Sequence, residues 1–200
     1  MTRRHMILSA FFFNPQGDHR MSWRHPAAPG REILGLDYYR KLALAAEQAK
    51  IDTIFIADHV GIWDSMPSGT AHYANARLEP LTLVSALSAV TRHIGFIATA
   101  STSYSEPYNI ARMFASLDHL SNGRVGWNVV TSAMEEEARN FGRDGNAEHG
   151  HRYQRASEFV DIAKGLWDSW EDEALLIDKA SGVFADAGRI HHLDHKGPHF

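Results

Sequence analysis

The sequence predicts an α/β protein built as the N-terminal half of a (β/α)8 barrel, with the chain truncated before the remaining strands. Three observations lead there. Four β-type runs, near 6–13, 53–57, 94–99 and 125–130, alternate with segments whose apolar residues recur at helical spacing, the order of a parallel sheet. Each run also ends in polar groups: Asn14, Asp58-His59, the stretch from Thr99 to Ser103, and the stretch from Asn128 to Ser132. A barrel active site collects its residues from the carboxyl ends of several strands in that way. Finally, no Gly-x-Gly-x-x-Gly follows the first run, which argues against a dinucleotide-binding sheet. A whole barrel takes ~250 residues, and this chain has 200, so two open strand edges are expected.

The first run, 6–13, is almost continuously apolar and reads as a strand buried on both faces. Asn14-Pro15-Gln16-Gly17 ends it, and an irregular segment, 18–31, follows with Trp23, His25 and Pro26. Asp37 is placed to cap a helix to about Lys50, with Tyr38, Leu42, Ala45, Ala46 and Ala49 on its inner face. The second strand leads into Asp58-His59 and another long loop, 61–78. Glu79-Pro80 opens the next helix, where proline suits the first turn, and Val84, Leu87 and Val90 or Thr91 form its face.

After the third strand, Glu106-Pro107 repeats the same device, with Ile110, Met113, Phe114, Leu117 and Leu120 as the buried stripe. Asn122-Gly123 stops that helix, the glycine supplying a left-handed cap. The fourth strand carries Asn128 where an apolar residue is usual, and a buried amide needs a partner. Glu135-Glu136-Glu137 reads as a solvated helix start. A helix over about 153–170 follows, with Ala156, Phe159, Val160, Ala163, Leu166, Trp167 and Trp170 inward. Met113, Phe114 and Trp167 are core positions by periodicity. Residues 171–200, with a strand at 175–177, begin an insertion or connecting segment of the single barrel domain.

Composition narrows the function. A net charge of −4 and the lack of a basic stripe give no reason to expect nucleic acid. The apolar runs are too short to span a bilayer, so no membrane association is expected. With no cysteine, disulfides and thiolate chemistry are excluded, and a cytoplasmic location is expected. The thirteen histidines raise a metal-dependent barrel hydrolase using His149, His151, His191, His192 and His195. Those residues lie in a loop and a tail, whereas catalytic barrel ligands come from strand ends, so no metal site is expected.

Several ordered motifs together are more specific. Ala57-Asp58-His59, Leu78-Glu79-Pro80-Leu81-Thr82, Glu106-Pro107-Tyr108, Phe114-Ala115-Ser116-Leu117-Asp118-His119 and the run from Gly123 to Ser132 span most of the chain. With Asn140-Phe141-Gly142 and the run from Glu148 to Tyr153, they resemble the bacterial-luciferase-like flavin monooxygenases. The resemblance is to the branch of nitrilotriacetate monooxygenase component A and its desulfurising relatives. It implies a luciferase-like, TIM-type barrel that receives reduced FMN from a separate NAD(P)H-dependent flavin reductase. It further implies oxygenation of a small organic substrate by dioxygen through a C4a-(hydro)peroxyflavin, with cleavage of a C–N or C–S bond. By motif match, Asp58 and Thr99 would lie at the flavin and His149 and Tyr153 at its ribityl-phosphate side, with Asn128 a further contact. A homo-oligomer is expected.

The residues suit that chemistry. The cofactor performs the oxygen chemistry, so the protein has to position it and exclude water, and no nucleophile–base pair is required. Trp23, Trp63 and Phe13 are available for an apolar floor, and the substrate would meet loops 18–31 and 61–78. Each residue also has an ordinary reading: Asp58 as a turn residue, Thr99 as a strand residue, Asn128 as a satisfied core amide, His149 as a surface histidine. A non-catalytic flavin-binding or interaction fragment, docking through its open edges, is the remaining alternative.

Overall fold

The computed structural model describes residues 6–62 and 69–200. Four parallel strands, β1 (Ser9–Phe12), β2 (Thr53–Ile56), β3 (Gly95–Ser101) and β4 (Val125–Val130), form one sheet in chain order. They alternate with α1 (Leu36–Gln48), a single turn α2 (Gly69–His72), α3 (Pro80–Val90) and α4 (Pro107–Ser121). Beyond β4 come α5 (Glu135–Asn140) and α6 (His149–Asp168), then an antiparallel hairpin of β5 (Leu175–Asp178) and β6 (Val183–Ala185). The hairpin forms a sheet of its own.

Alternation along each strand separates two faces. Ile54, Ile56, Phe96 and Ala98 point to the helices and pack with Ala43 of α1, Leu87 of α3, Phe114 of α4 and Phe159 of α6. This is the core. The opposite face carries Phe11 and Phe55, whose rings lie 5.5 Å apart, followed towards the carboxyl ends by Thr99 and Asn128. That face is the interior side of a barrel.

The amino-terminal end of the sheet is fastened by two charged side chains. Glu47 of α1 accepts the backbone N–H groups of Arg92, His93 and Ile94 at 2.9, 2.6 and 3.1 Å, fixing the turn into β3. Arg124, just before β4, donates to the carbonyls of Ser121, Ile94 and Ser88 at 2.7, 2.7 and 2.8 Å and to the Thr91 hydroxyl at 3.1 Å. One guanidinium thus ties the ends of α3 and α4 to the starts of β3 and β4.

Several expectations are corrected. The run 6–13 is not buried on both faces: Met6 is 79% and Phe11 62% exposed. As the edge strand, β1 pairs only with β2, and its inner face looks into the open side of the sheet. Asp37 does not cap α1; Gly35 holds that position, and Asp37 sits in the first turn paired with Arg40 at 2.9 Å. The buried face of α1 is Tyr39 and Ala43, with Leu42 and Ala45 exposed. An alanine-rich helix gives a weak phase signal, so docking sets its rotation.

In α4, Leu120 is 66% exposed and Met113 is also exposed, because the stripe that docks is Ile110, Ala111, Phe114 and Leu117. The left-handed cap residue is Asn122 (φ 55°), followed by Gly123 (φ 74°). Helix α6 starts four residues earlier than expected, at His149, and its Trp167 lies at the margin of the core, 38% exposed, with Nε1 donating to Ala111 O at 2.8 Å. Trp170 is exposed beyond the helix end.

Two predictions concern the fastened end. Arg124→Met would leave several buried carbonyls without donors, costing about 2–4 kcal/mol and lowering Tm by roughly 5–15 °C in thermal denaturation. The three N–H bonds, that from His93 foremost, bring the Glu47 carboxyl from its ordinary 4.5 to about 2. Its stabilisation is therefore complete above the unfolded value and is lost as pH falls towards about 2. Acid unfolding of Glu47→Gln should accordingly show a shallower slope across that window, from a lower starting stability at neutral pH.

Candidate functional site

The carboxyl ends of β2, β3 and β4 are held together by side chains rather than by more ladder. Thr99 of β3, 5% exposed, donates its hydroxyl to Ile56 O of β2 at 2.8 Å and accepts from Asn128 Nδ2 of β4 at 2.9 Å. One residue further along the same face, the hydroxyls of Ser101 and Ser132 meet at 2.7 Å. Ser103 donates to Thr131 O, and Thr102 donates to Val130 O at 3.1 Å. Ser132 has φ 52°, a left-handed conformation that costs a β-region residue about 1–2 kcal/mol and is held by its bond to Ser101.

Above this rim, Asp58 and His59 leave β2 half-buried. Burial raises the Asp58 carboxyl to about 6, against the lowering influence of the nearby Arg77 cation. Burial, reinforced by the same cation, lowers the His59 imidazole to about 4, so His59 is neutral at physiological pH. A carboxyl that exchanges its proton near neutrality can donate or accept a hydrogen bond at one position.

Glu137 is the side chain that the sequence reading missed. It is not on a solvated helix start: it is 2% exposed and accepts N–H groups from Val60, Ala133 and Met134, each at 3.0 Å. The loop after β2 is thereby bound to the loop after β4, and Asn140 Nδ2 adds a bond to Val60 O at 2.8 Å. Gly61 allows this approach, since a Cβ there would stand 3.1 Å from the Glu137 backbone nitrogen. The available signal was its place as the third residue of α5, the offset from which a glutamate reaches back to the cap. Arg77, a lone cation in a loop, gave no such signal.

Helix α6 supplies the far wall. His149 stands in its first turn and Tyr153 one turn on, their rings 4.6 Å apart on one face. A cleft of about 670 Å³ opens between β4 and α6, lined by Asp58, His59, Thr131, Glu137 and Tyr153. An adjoining cleft of about 600 Å³ shares Asp58 and His59 and reaches Thr99, Ser101, Tyr104 and Phe141. The structure thus brings Asp58 together with Tyr153 on one side and with Thr99 on the other. Asn128 lines neither cleft and braces Thr99, while His149 flanks Tyr153.

The apolar floor is also revised. Phe13 approaches His59 at 5.8 Å and joins Phe11 and Phe55 in a strip along the interior face. Trp23 is elsewhere, donating to His72 O at 2.7 Å, and Trp63 lies outside the described residues. The histidine constellation of a metal hydrolase is not assembled. Among the described residues no group of three potential ligands converges; His191 bonds Glu171 at 2.6 Å and His195 bonds Glu158 at 2.8 Å. No helix among the described residues is long and apolar enough to cross a membrane.

Comparison with known proteins bears on the family and the fold. Residues 16–200 match the family described as luciferase-like monooxygenase. The chain is 51% identical to N-acetyl-S-(2-succino)cysteine monooxygenase of Bacillus subtilis (strain 168), covering all of this chain (100%) and 44% of that protein. It is 46% identical to nitrilotriacetate monooxygenase component A of Aminobacter aminovorans, over 95% of this chain and 44% of the relative. Among solved structures, a riboflavin lyase with modified FMN and riboflavin superposes with a TM-score of 0.89 at 36% identity, over 98% of this chain and 45% of its own. The chain therefore spans less than half the length of the relatives that it matches. With its parallel sheet, its polar strand ends and these matches, the chain belongs to the luciferase-like monooxygenase family.

Proposed function

We propose that the full protein is the oxygenase component of a two-component system, taking reduced FMN from a separate NAD(P)H-dependent reductase. The observation that carries this reading is the cleft between β4 and α6 that has both Asp58 and Tyr153 in its lining. Its size is within the ~300–1,000 Å³ of ordinary ligand sites. The donor set also suits a flavin mononucleotide: a carboxyl for the polar ring edge, and a phenol, an imidazole and free helix N–H groups for the ribityl phosphate. Bound reduced FMN would activate dioxygen and deliver one oxygen atom to the substrate.

The chain's own residues then divide the remaining work. Asp58, with its proton in balance near pH 6, contacts the ring edge as donor or acceptor. Thr99 has its hydroxyl hydrogen engaged by Ile56 O, so it offers the ring only an acceptor lone pair, and Asn128 fixes that orientation. Tyr153 and His149, backed by the positive end of the α6 dipole, hold the phosphate side. Phe11, Phe13 and Phe55 give the interior face an apolar strip that would exclude water once covered. The product of oxygenation is taken to break at a C–N or C–S bond. The reading also takes the protein as a cytoplasmic homo-oligomer in which residues 171–200 begin an insertion in the barrel.

Titration of the full-length protein should show tighter binding of reduced than of oxidised FMN, with oxygen consumed once a reductase and NAD(P)H are added. Absence of reduced-FMN binding would overturn the proposal. Tyr153→Phe should weaken reduced-FMN binding roughly 5-fold and Asp58→Ala roughly 10- to 100-fold, with Tm nearly unchanged. Unaltered affinity in both variants would remove the site assignment.

A further inference from the structure

One cation near the site makes no hydrogen bond through its terminal nitrogens. Arg77 lies in the segment that leads into α3, beside Asp58. Its Nη1 and Nη2 are shut off from solvent and have no hydrogen-bond partner. Its guanidinium stands 4.8 Å from the centre of the Phe13 ring, at the carboxyl end of β1. Buried arginines are ordinarily saturated, as Arg124 is in this same chain, because donors left unbonded carry their full desolvation cost. Burial lowers the Arg77 guanidinium, and Asp58 opposes this by favouring the charged form but does not bond to it. A fork of N–H groups held charged, aligned by an aromatic ring and unfilled is the arrangement that takes a carboxylate through two parallel bonds.

We propose that Arg77 is the anion-recognising residue of the substrate site, pairing through Nη1–H and Nη2–H with a carboxylate of the molecule to be oxygenated. This rests on the monooxygenase reading above and narrows it: the substrate is a carboxylated amine or thioether, not a neutral sulfone or alkane. The flavin phosphate is the other anion at hand, but position argues against it. Arg77 shares a small cleft with Phe13, Asn14, Tyr39 and Ala57 at the β1 side, whereas Tyr153 lines the cleft at the β4 side, and Asp58 stands between. A phosphate held on α6 lies at the other side of Asp58, so the anion that Arg77 takes would be a substrate carboxylate inserted into this β1-side cleft of about 90 Å³.

The test uses the full-length protein, with N-acetyl-S-(2-succino)cysteine and nitrilotriacetate as anionic probes and dibenzothiophene sulfone as the neutral one. Calorimetry reads probe affinity, flavin titration reads the Kd for reduced FMN, and turnover separates KM from kcat. The wild-type protein should bind at least one anionic probe. Arg77→Met should raise its Kd and KM roughly 100-fold, the loss of two charge-assisted bonds, a change much larger than any in the flavin Kd that follows from removing the cation beside Asp58. Arg77→Lys should recover part of the affinity, since an ammonium restores charge without the fork. Unchanged probe affinity in Arg77→Met would overturn the proposal. So would a parallel loss of flavin affinity, or wild-type binding of the sulfone with neither anion. If wild-type protein fails to bind reduced FMN, the monooxygenase reading falls instead, and calorimetry with the anionic probes still decides the role of Arg77. Should Arg77→Met lose its cooperative thermal transition, Arg77→Lys carries the comparison alone, with unchanged affinity again the negative result.

Discussion

The buried carboxylate of Glu137 is the constraint on which the upper half of the molecule depends. Strand ends give a barrel its reactive groups, but the loops above them have no ladder to define their positions. Here one side chain takes N–H groups from both sides of the sheet opening, Val60 after β2 and Ala133 and Met134 after β4. Asp58 and Ser132 sit on the two stretches so joined, which fixes the span between them. A carboxylate with three donors satisfies those three N–H groups at once. The arrangement needs Gly61, where any side chain would press on the α5 backbone.

The sheet divides labour by face as well as by end. Towards the helices it is a close apolar layer, with Phe96 and Phe159 wholly enclosed. Towards the interior, hydroxyls and an amide replace apolar side chains in the last third of β3 and β4, and they satisfy one another across strands. Such a network is stiff because each group has its partner, and it keeps a polar surface from collapsing when no ligand is present. Thr99 and Asn128 therefore shape the site whether or not they touch what binds there.

Much of this was legible in the residues, and the failures have physical causes. Strand order, the polar strand ends and the helix openings at Glu79-Pro80 and Glu106-Pro107 follow from local rules, and the structure reproduces them. The continuous apolar run that marks β1 was read as two-sided burial, yet such a run reports affinity for a core and not the presence of one. Met113 and Trp167 kept helical period while lying at the margins of their stripes, where a shift of one position decides exposure. Glu137 was hidden by its neighbours, since three successive glutamates look alike until one is known to face inward. Arg77 could not be found at all, because nothing local distinguishes a solvated arginine from one enclosed without partners.

The fastening of the amino-terminal end by Glu47 and Arg124 has a consequence for how such a protein diversifies. Neither side chain reaches the carboxyl ends of the strands, and neither depends on anything there. The bonds that close the amino-terminal end and those that shape the polar rim are consequently made by separate sets of residues. Loops above the sheet can lengthen or change their side chains without disturbing the bonds that fasten its base. One scaffold can then diverge toward many chemistries without passing through unfolded ancestors.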